Sequence, residues 1–227
     1  MKLLATITIL LINLQIVCGQ TDTKIEPYYS DLKAQTTLID ASEYNTINSE
    51  PFIKPLPLTE QELVRDYPEF FKFTDSCYTF KANANQKMGI KDDTLKACRF
   101  SGIPNDKEYS RIEFQGVYCN YALVYVIEFE GWYHYSVDLA NGITFSTEGV
   151  PLTVNCNTSI SYFNYYGLEV ITLTDLKSKK QYIVHNDEYT TVESKSIQDT
   201  HYLKLQYFPN MQLNSEEQYM YLKIQLK

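Results

Sequence analysis

The chain has 227 residues, 28 acidic against 20 basic, for a net charge of −8. That acidity excludes the phosphate neutralisation on which nucleic-acid binding rests. Eight Gly and eight Pro exclude a collagen-like chain, and 44% hydrophobic residues with 20 Tyr exclude a disordered one.

In chain order, Met1–Gly19 reads as a secretory signal peptide. Lys2 supplies the positive start, Leu3 to Val17 is uncharged and mostly apolar, and Val17-Cys18-Gly19 presents small residues for cleavage before Gln20. The apolar run is too short to span a bilayer, and no other stretch reaches about 20 apolar residues. Cleavage removes Cys18 and leaves an even set: Cys77, Cys98, Cys119 and Cys156. In an oxidising compartment two disulfides are the expectation. Three pairings are open, and Cys77–Cys98 with Cys119–Cys156 is favoured. Each bridge should contribute on the order of 3 kcal/mol by restricting the unfolded chain. The wide cysteine spacing does not suit zinc, whose ligands come in close pairs.

Residues 20–58 read as a flexible arm, with Pro27, Pro51, Pro55 and Pro57 and no hydrophobic period. Residues 59–227 read as a disulfide-stapled β domain. It opens on a helix over Thr59–Tyr67, with Thr59 and Glu62 as a capping box, Leu58 and Leu63 at the staple positions, and Pro68 as the stop. Asp92–Cys98 is a second short helix by its acidic cap. About eleven short strands follow, rich in aromatic and β-branched residues: 78–82, 111–118, 121–130, 132–140, 143–147, 159–165, 168–174, 181–185, 190–193, 202–208 and 219–226. The fold class is therefore mainly β, an antiparallel β-sandwich or β-barrel with one or two short helices. The last strand alternates, with Met220, Leu222, Ile224 and Leu226 facing the core and Tyr219, Tyr221, Lys223 and Gln225 facing water. Asn141-Gly142 marks a hairpin. A two-residue turn there would pair Leu139 with Thr144, mixing polar and apolar faces, so a longer loop or a bulge is expected.

Chemistry is sparse. Glu128 and Glu130, two apart on a strand, would project from one face about 7 Å apart, within side-chain reach of a glycosidase pair. The run Glu128-Phe129-Glu130-Gly131-Trp132 resembles the acidic catalytic strand of laminarinase-type glycoside hydrolases, which implies a hydrolase using that pair. Val126 stands where that family carries a third acid. The competing reading is a solvated strand end. Tyr121-Ala122-Leu123-Val124-Tyr125 resembles a segment of some lipocalins, which implies a barrel carrying a small apolar ligand; their Gly-x-Trp signature is missing here. His134, His185 and His201 form no close-spaced metal pair, and His134 reads as a surface residue. No cofactor fingerprint, phosphate loop or Gly-x-Ser-x-Gly elbow occurs. Asn157-Thr158-Ser159 is a glycosylation acceptor on an exposed turn.

The tyrosines carry the remaining reading. Tyr162, Tyr165, Tyr166, Tyr219 and Tyr221 are candidates for an exposed recognition patch, because Tyr pairs a large ring with a hydrogen-bonding tip. The alternative places them as Phe substitutes on half-buried sheet faces. The expectation is a secreted, non-enzymatic extracellular binding protein with a protein or glycan partner. No nucleic acid, cofactor, metal or membrane span is implied.

Overall fold

The computed structural model describes residues 27–75, 77–82, 94–98, 111–128, 131–207 and 218–227; for Ala82, Thr94–Cys98, Arg111 and Glu128 the backbone alone is described. The N-terminal leader lies outside these residues. The chain runs through β1 (Tyr29–Ser30), β2 (Ala34–Ile39), α1 (Ala41–Thr46), α2 (Glu60–Asp66), β3 (Lys72–Thr74), β4 (Cys77–Ala82) and β5 (Thr94–Cys98). Four strands follow: β6 (Arg111–Tyr118), β7 (Tyr121–Glu128), β8 (Gly131–Asp138) and β9 (Ile143–Thr147). The rest are β10 (Thr158–Tyr165), β11 (Leu168–Asp175), β12 (Gln181–Asn186), β13 (Tyr189–Ile197), β14 (Thr200–Tyr207) and β15 (Tyr219–Leu226).

Three sheets result. The first has the order β1-β12-β11-β10, the second β13-β14-β15-β2, and the third β3-β4-β9-β8-β7-β6 with β5 added to β4. The first two form a sandwich. Ile160, Ile171, Leu173 and Val184 of one sheet pack on Leu203, Leu205, Leu222 and Ile224 of the other. Alternation along β15 produces this, since Leu222 and Ile224 are the strand's fully buried positions. The third sheet is a half-barrel closed by α2. Leu63 from that helix sits with Phe71, Tyr78, Phe80, Val124, Val126 and Val137. All pairings are antiparallel except β4 with β9.

The half-barrel lays its other face on the outer face of the first sheet. Small residues allow the approach: Ser159, Ser161, Thr172 and Thr174 are all buried there. A minor core of Tyr118, Tyr121, Leu123, Phe145 and Leu176 seals the joint. Cys119–Cys156 bridges it covalently, with Cα atoms 5.3 Å apart. Lys179 Nζ meets Asp138 Oδ2 at 2.8 Å, and Gln181 Nε2 donates to the Ser146 carbonyl at 2.8 Å.

The predicted capping box is formed. Thr59 Oγ1 accepts from Glu62 N at 3.3 Å, and Thr59 N donates to Glu62 Oε2 at 2.8 Å. Thr59→Ala removes one of these bonds, and urea unfolding should register a loss of about 1 kcal/mol.

Other expectations change. The helix predicted over Asp92–Cys98 is a strand over Thr94–Cys98, because pairing with β4 overrides the local capping signal; Asp92 and Asp93 lie outside the described residues. That pairing sets Cys98 opposite Cys77, which is disulfide-bonded. The strand predicted to reach Glu130 ends at Glu128, paired with Gly131. At Asn141-Gly142 the loop is longer than two residues. Val137 pairs with Thr144, and Gly142 N donates to the Asp138 carbonyl at 2.7 Å. The tighter hairpin lies between β6 and β7, where Cys119 and Asn120 have φ of 47° and 66° as a two-residue primed turn requires.

The arm is only partly irregular. β2 pairs with β15 as an edge strand, and Asp40 Oδ1 caps α1 through Glu43 N at 2.8 Å. Beyond α1 the proline-rich stretch is an extended strap. Its backbone bonds Glu50 to Ser196, Ile53 to Thr153 and Leu56 to Val117, linking the sandwich to the half-barrel. Gly116 makes room for it. Its φ is +113°, and a Cβ there would stand 2.3 Å from the Leu56 carbonyl oxygen.

Candidate functional site

At the open end of the joint between half-barrel and sandwich lies a cleft of about 160 Å3. It is lined by Gly131, Trp132, Tyr133, Glu148, Phe163 and Tyr165. Two strands from different sheets and one connection supply these residues. Trp132 lies on β8, on the face opposite Tyr133 and Tyr135, which pack towards the half-barrel core. Phe163 and Tyr165 are two apart on β10 and therefore share a face. Trp132 meets Phe163 with ring centroids 5.2 Å apart at 84°, and Tyr165 at 5.5 Å and 72°. Tyr166, 93% exposed, stands at the rim with its ring 4.5 Å from Tyr165.

Glu148 arrives just after β9. Gly149 sets its approach, because a Cβ there would fall 2.2 Å from the Tyr162 carbonyl oxygen; only glycine lets the chain lie this close to β10. The backbone is pinned from below, with His134 Nδ1 3.2 Å from the Glu148 carbonyl oxygen and the His134 ring stacked on Tyr125 at 4.7 Å. The Glu148 carboxylate makes no hydrogen bond or ion pair among the described residues. Burial pushes its pKa above the usual carboxylate range. The arrangement is an aromatic corner with one uncompensated acid beside it. It can enclose a small group and favours a positive one.

The sequence candidates fall into separate places. Of the five tyrosines, Tyr165 lines the cleft and Tyr166 rims it. Tyr162 points to the other face of β10, into the sandwich, where its hydroxyl is 3.2 Å from Ser194 Oγ. Tyr221 lies beneath α1, its ring 5.0 Å from the buried Tyr44, so this part of the face expected to be wet is covered. Lys195 holds that helix down, its Nζ 4.4 Å from the Tyr44 ring centroid. Tyr219 sits under Lys204 Nζ at 4.1 Å. The five do not form one patch because alternation turns Tyr162 away from Tyr165, and Tyr219 and Tyr221 lie on β15 of the second sheet.

The side chain of Glu128 and all of Glu130 lie outside the described residues. Among the described residues lining the cleft, Glu148 is the one carboxylate. His134, expected at the surface, is buried at 6% exposure, because its face of β8 is covered by the first sheet. Among the described residues no group of three or more His, Cys, Asp and Glu could hold a metal, and no helix is long and apolar enough to cross a membrane. Asn157 is exposed next to Cys156. Sequence reading passed over Glu148 and Phe163, whose roles arise only where β10 crosses the end of β9. Trp132 carried the one available signal, as the sole indole of the chain. Comparisons with protein-family models, curated proteins and solved structures return no match to this chain.

Proposed function

We propose that the protein is a secreted, non-enzymatic recognition module that holds an exposed group of an extracellular protein or glycan partner in the cleft of Trp132, Phe163, Tyr165 and Glu148. The observation that carries this reading is the pair of aromatic walls left open to solvent and continued outward by the 93% exposed Tyr166. Rigid aromatic side chains give contact area at low entropic cost and dominate binding hot spots. The Cys119–Cys156 disulfide fits an oxidising compartment, and the exposed Asn157 fits use of the sequon. A carrier of an apolar ligand is less well supported. The cleft volume of about 160 Å3 falls short of the roughly 300 Å3 at which ligand pockets begin.

The chain reports on this site directly, because Trp132 is its single tryptophan. Titrating the secreted protein with short basic peptides and with chito-oligosaccharides should shift the indole emission saturably for one class. Tyr165→Ala should weaken that binding at least about tenfold, near 1.4 kcal/mol. Emission that responds to neither class sinks the reading.

A further inference from the structure

We propose that the cleft is built for the ammonium group of a lysine side chain presented by a basic protein partner, with Glu148 as its counter-charge. The inference rests on the recognition reading above and names its ligand.

Three observations converge on it. The first is charge. Among the described residues, Glu148 has neither a cation nor a hydrogen-bond donor, and no Lys or Arg lines the cleft. A partly buried carboxylate without a partner costs free energy that an incoming cation recovers. The whole chain, at −8, also steers basic surfaces towards it. The second is ring geometry. Phe163 and Tyr165 stand at 84° and 72° to Trp132, so the walls meet as a corner. A compact ammonium is attracted by the ring faces of such a corner, with Trp the strongest of them. A planar guanidinium favours stacking on ring faces and a bidentate carboxylate, which a right-angled corner serves less well. The third is size. At about 160 Å3 the cleft takes one side chain and not an oligosaccharide or a lipid tail. The exposed Tyr165 and Tyr166 then cover the methylene stem of the lysine as it enters.

The test uses the full secreted chain and its lone indole. Tetralysine, tetraarginine, tetranorleucine made soluble by a polyethylene glycol tail, and chitotriose are titrated in parallel. Tetralysine should give a saturable change in emission, tetraarginine a weaker one, and the two neutral probes none. Glu148→Gln should weaken tetralysine at least about tenfold while leaving the unfolding midpoint near that of the parent. Trp132→Ala, followed by calorimetry, should abolish the heat of binding. Unchanged tetralysine affinity in Glu148→Gln overturns the proposal, since attraction would then be to the acidic surface at large. Binding of chitotriose in place of tetralysine also overturns it, yet leaves the recognition reading standing. Silence towards all four probes removes both.

Discussion

Lys179→Met should destabilise the protein by about 3–5 kcal/mol, the cost of leaving a buried acid without its cation. Lys179 and Asp138 are both nearly enclosed, with side-chain exposures of 8% and 11%, and meet at 2.8 Å. Asp138 ends β8 of the half-barrel, while Lys179 sits in the turn between β11 and β12 of the sandwich. The pair therefore spans the joint, as the Cys119–Cys156 bridge does. Burial alone would raise the Asp138 pKa. Lys179, the Ala140 N–H and Asn141 outweigh it and hold the carboxyl below its usual range. Without Lys179 only the Ala140 N–H and Asn141 remain to oppose the burial cost. Asp138→Asn combined with Lys179→Met should recover most of the loss, because the amide oxygen can still accept from Ala140 N, now 2.9 Å from Asp138 Oδ1. Urea denaturation of the parent, the single and the double variant closes the cycle. A single variant within about 0.5 kcal/mol of the parent would show that the pair does not hold the joint.

That ion pair marks the boundary of what the sequence reveals. Lys179-Lys180 is the one Lys-Lys dipeptide in the chain, and lysine is a residue type that is almost never fully buried unless paired. Nothing local announces that the turn drives Lys179 inward, through a bond from its N–H to the Asp175 carbonyl at 2.7 Å and a φ of 59°. Features whose cause is local were legible. The Thr59 cap, the alternation of β15 and the boundaries of β6 and β9 follow from side chains within a few residues of one another. Features made by distant chain were not. β2 has the sequence Ala34-Gln-Thr-Thr-Leu-Ile39, with little apolar alternation, because it is an edge strand held mainly by its backbone pairing with β15. The strap from Glu50 to Leu56 carries prolines that suggest freedom, yet three of its amides are bonded to other parts of the chain. The cleft is the extreme case. Its walls come from β8 and β10, its acid from the stretch after β9, and the close approach of that stretch to β10 from the bare Gly149. These parts are spread over residues 132–165, and no local period links them.

Acidification should unfold the protein through His201. The ring is fully buried between the two sandwich sheets, with Nε2 3.0 Å from Thr158 Oγ1 and Nδ1 2.7 Å from Ser196 Oγ. Burial lowers its pKa from 6.5 to about 4, against a smaller opposing pull from Asp199. The folded state thus resists a proton that the unfolded chain accepts at pH 6.5. The neutral ring contributes its full stability above pH 6.5, and that contribution drains away as pH falls towards about 4, then levels off. A difference of this size corresponds to roughly 3 kcal/mol. His134 and His185 are lowered by burial too and act in the same direction. Glu148, raised by burial, acts in the opposite one, since its folded form holds a proton more readily than the unfolded chain does. Denaturation midpoints measured from pH 7.5 to 4 should therefore decline, with most of the slope removed in His201→Gln. That variant starts from lower stability at neutral pH, because glutamine cannot bridge both hydroxyls, so the slope and not the midpoint is the diagnostic. An equal slope in parent and variant would move the acid sensitivity to His134, His185 and the depressed Asp138, and would mean that the Thr158–His201–Ser196 chain tolerates a charge between the sheets.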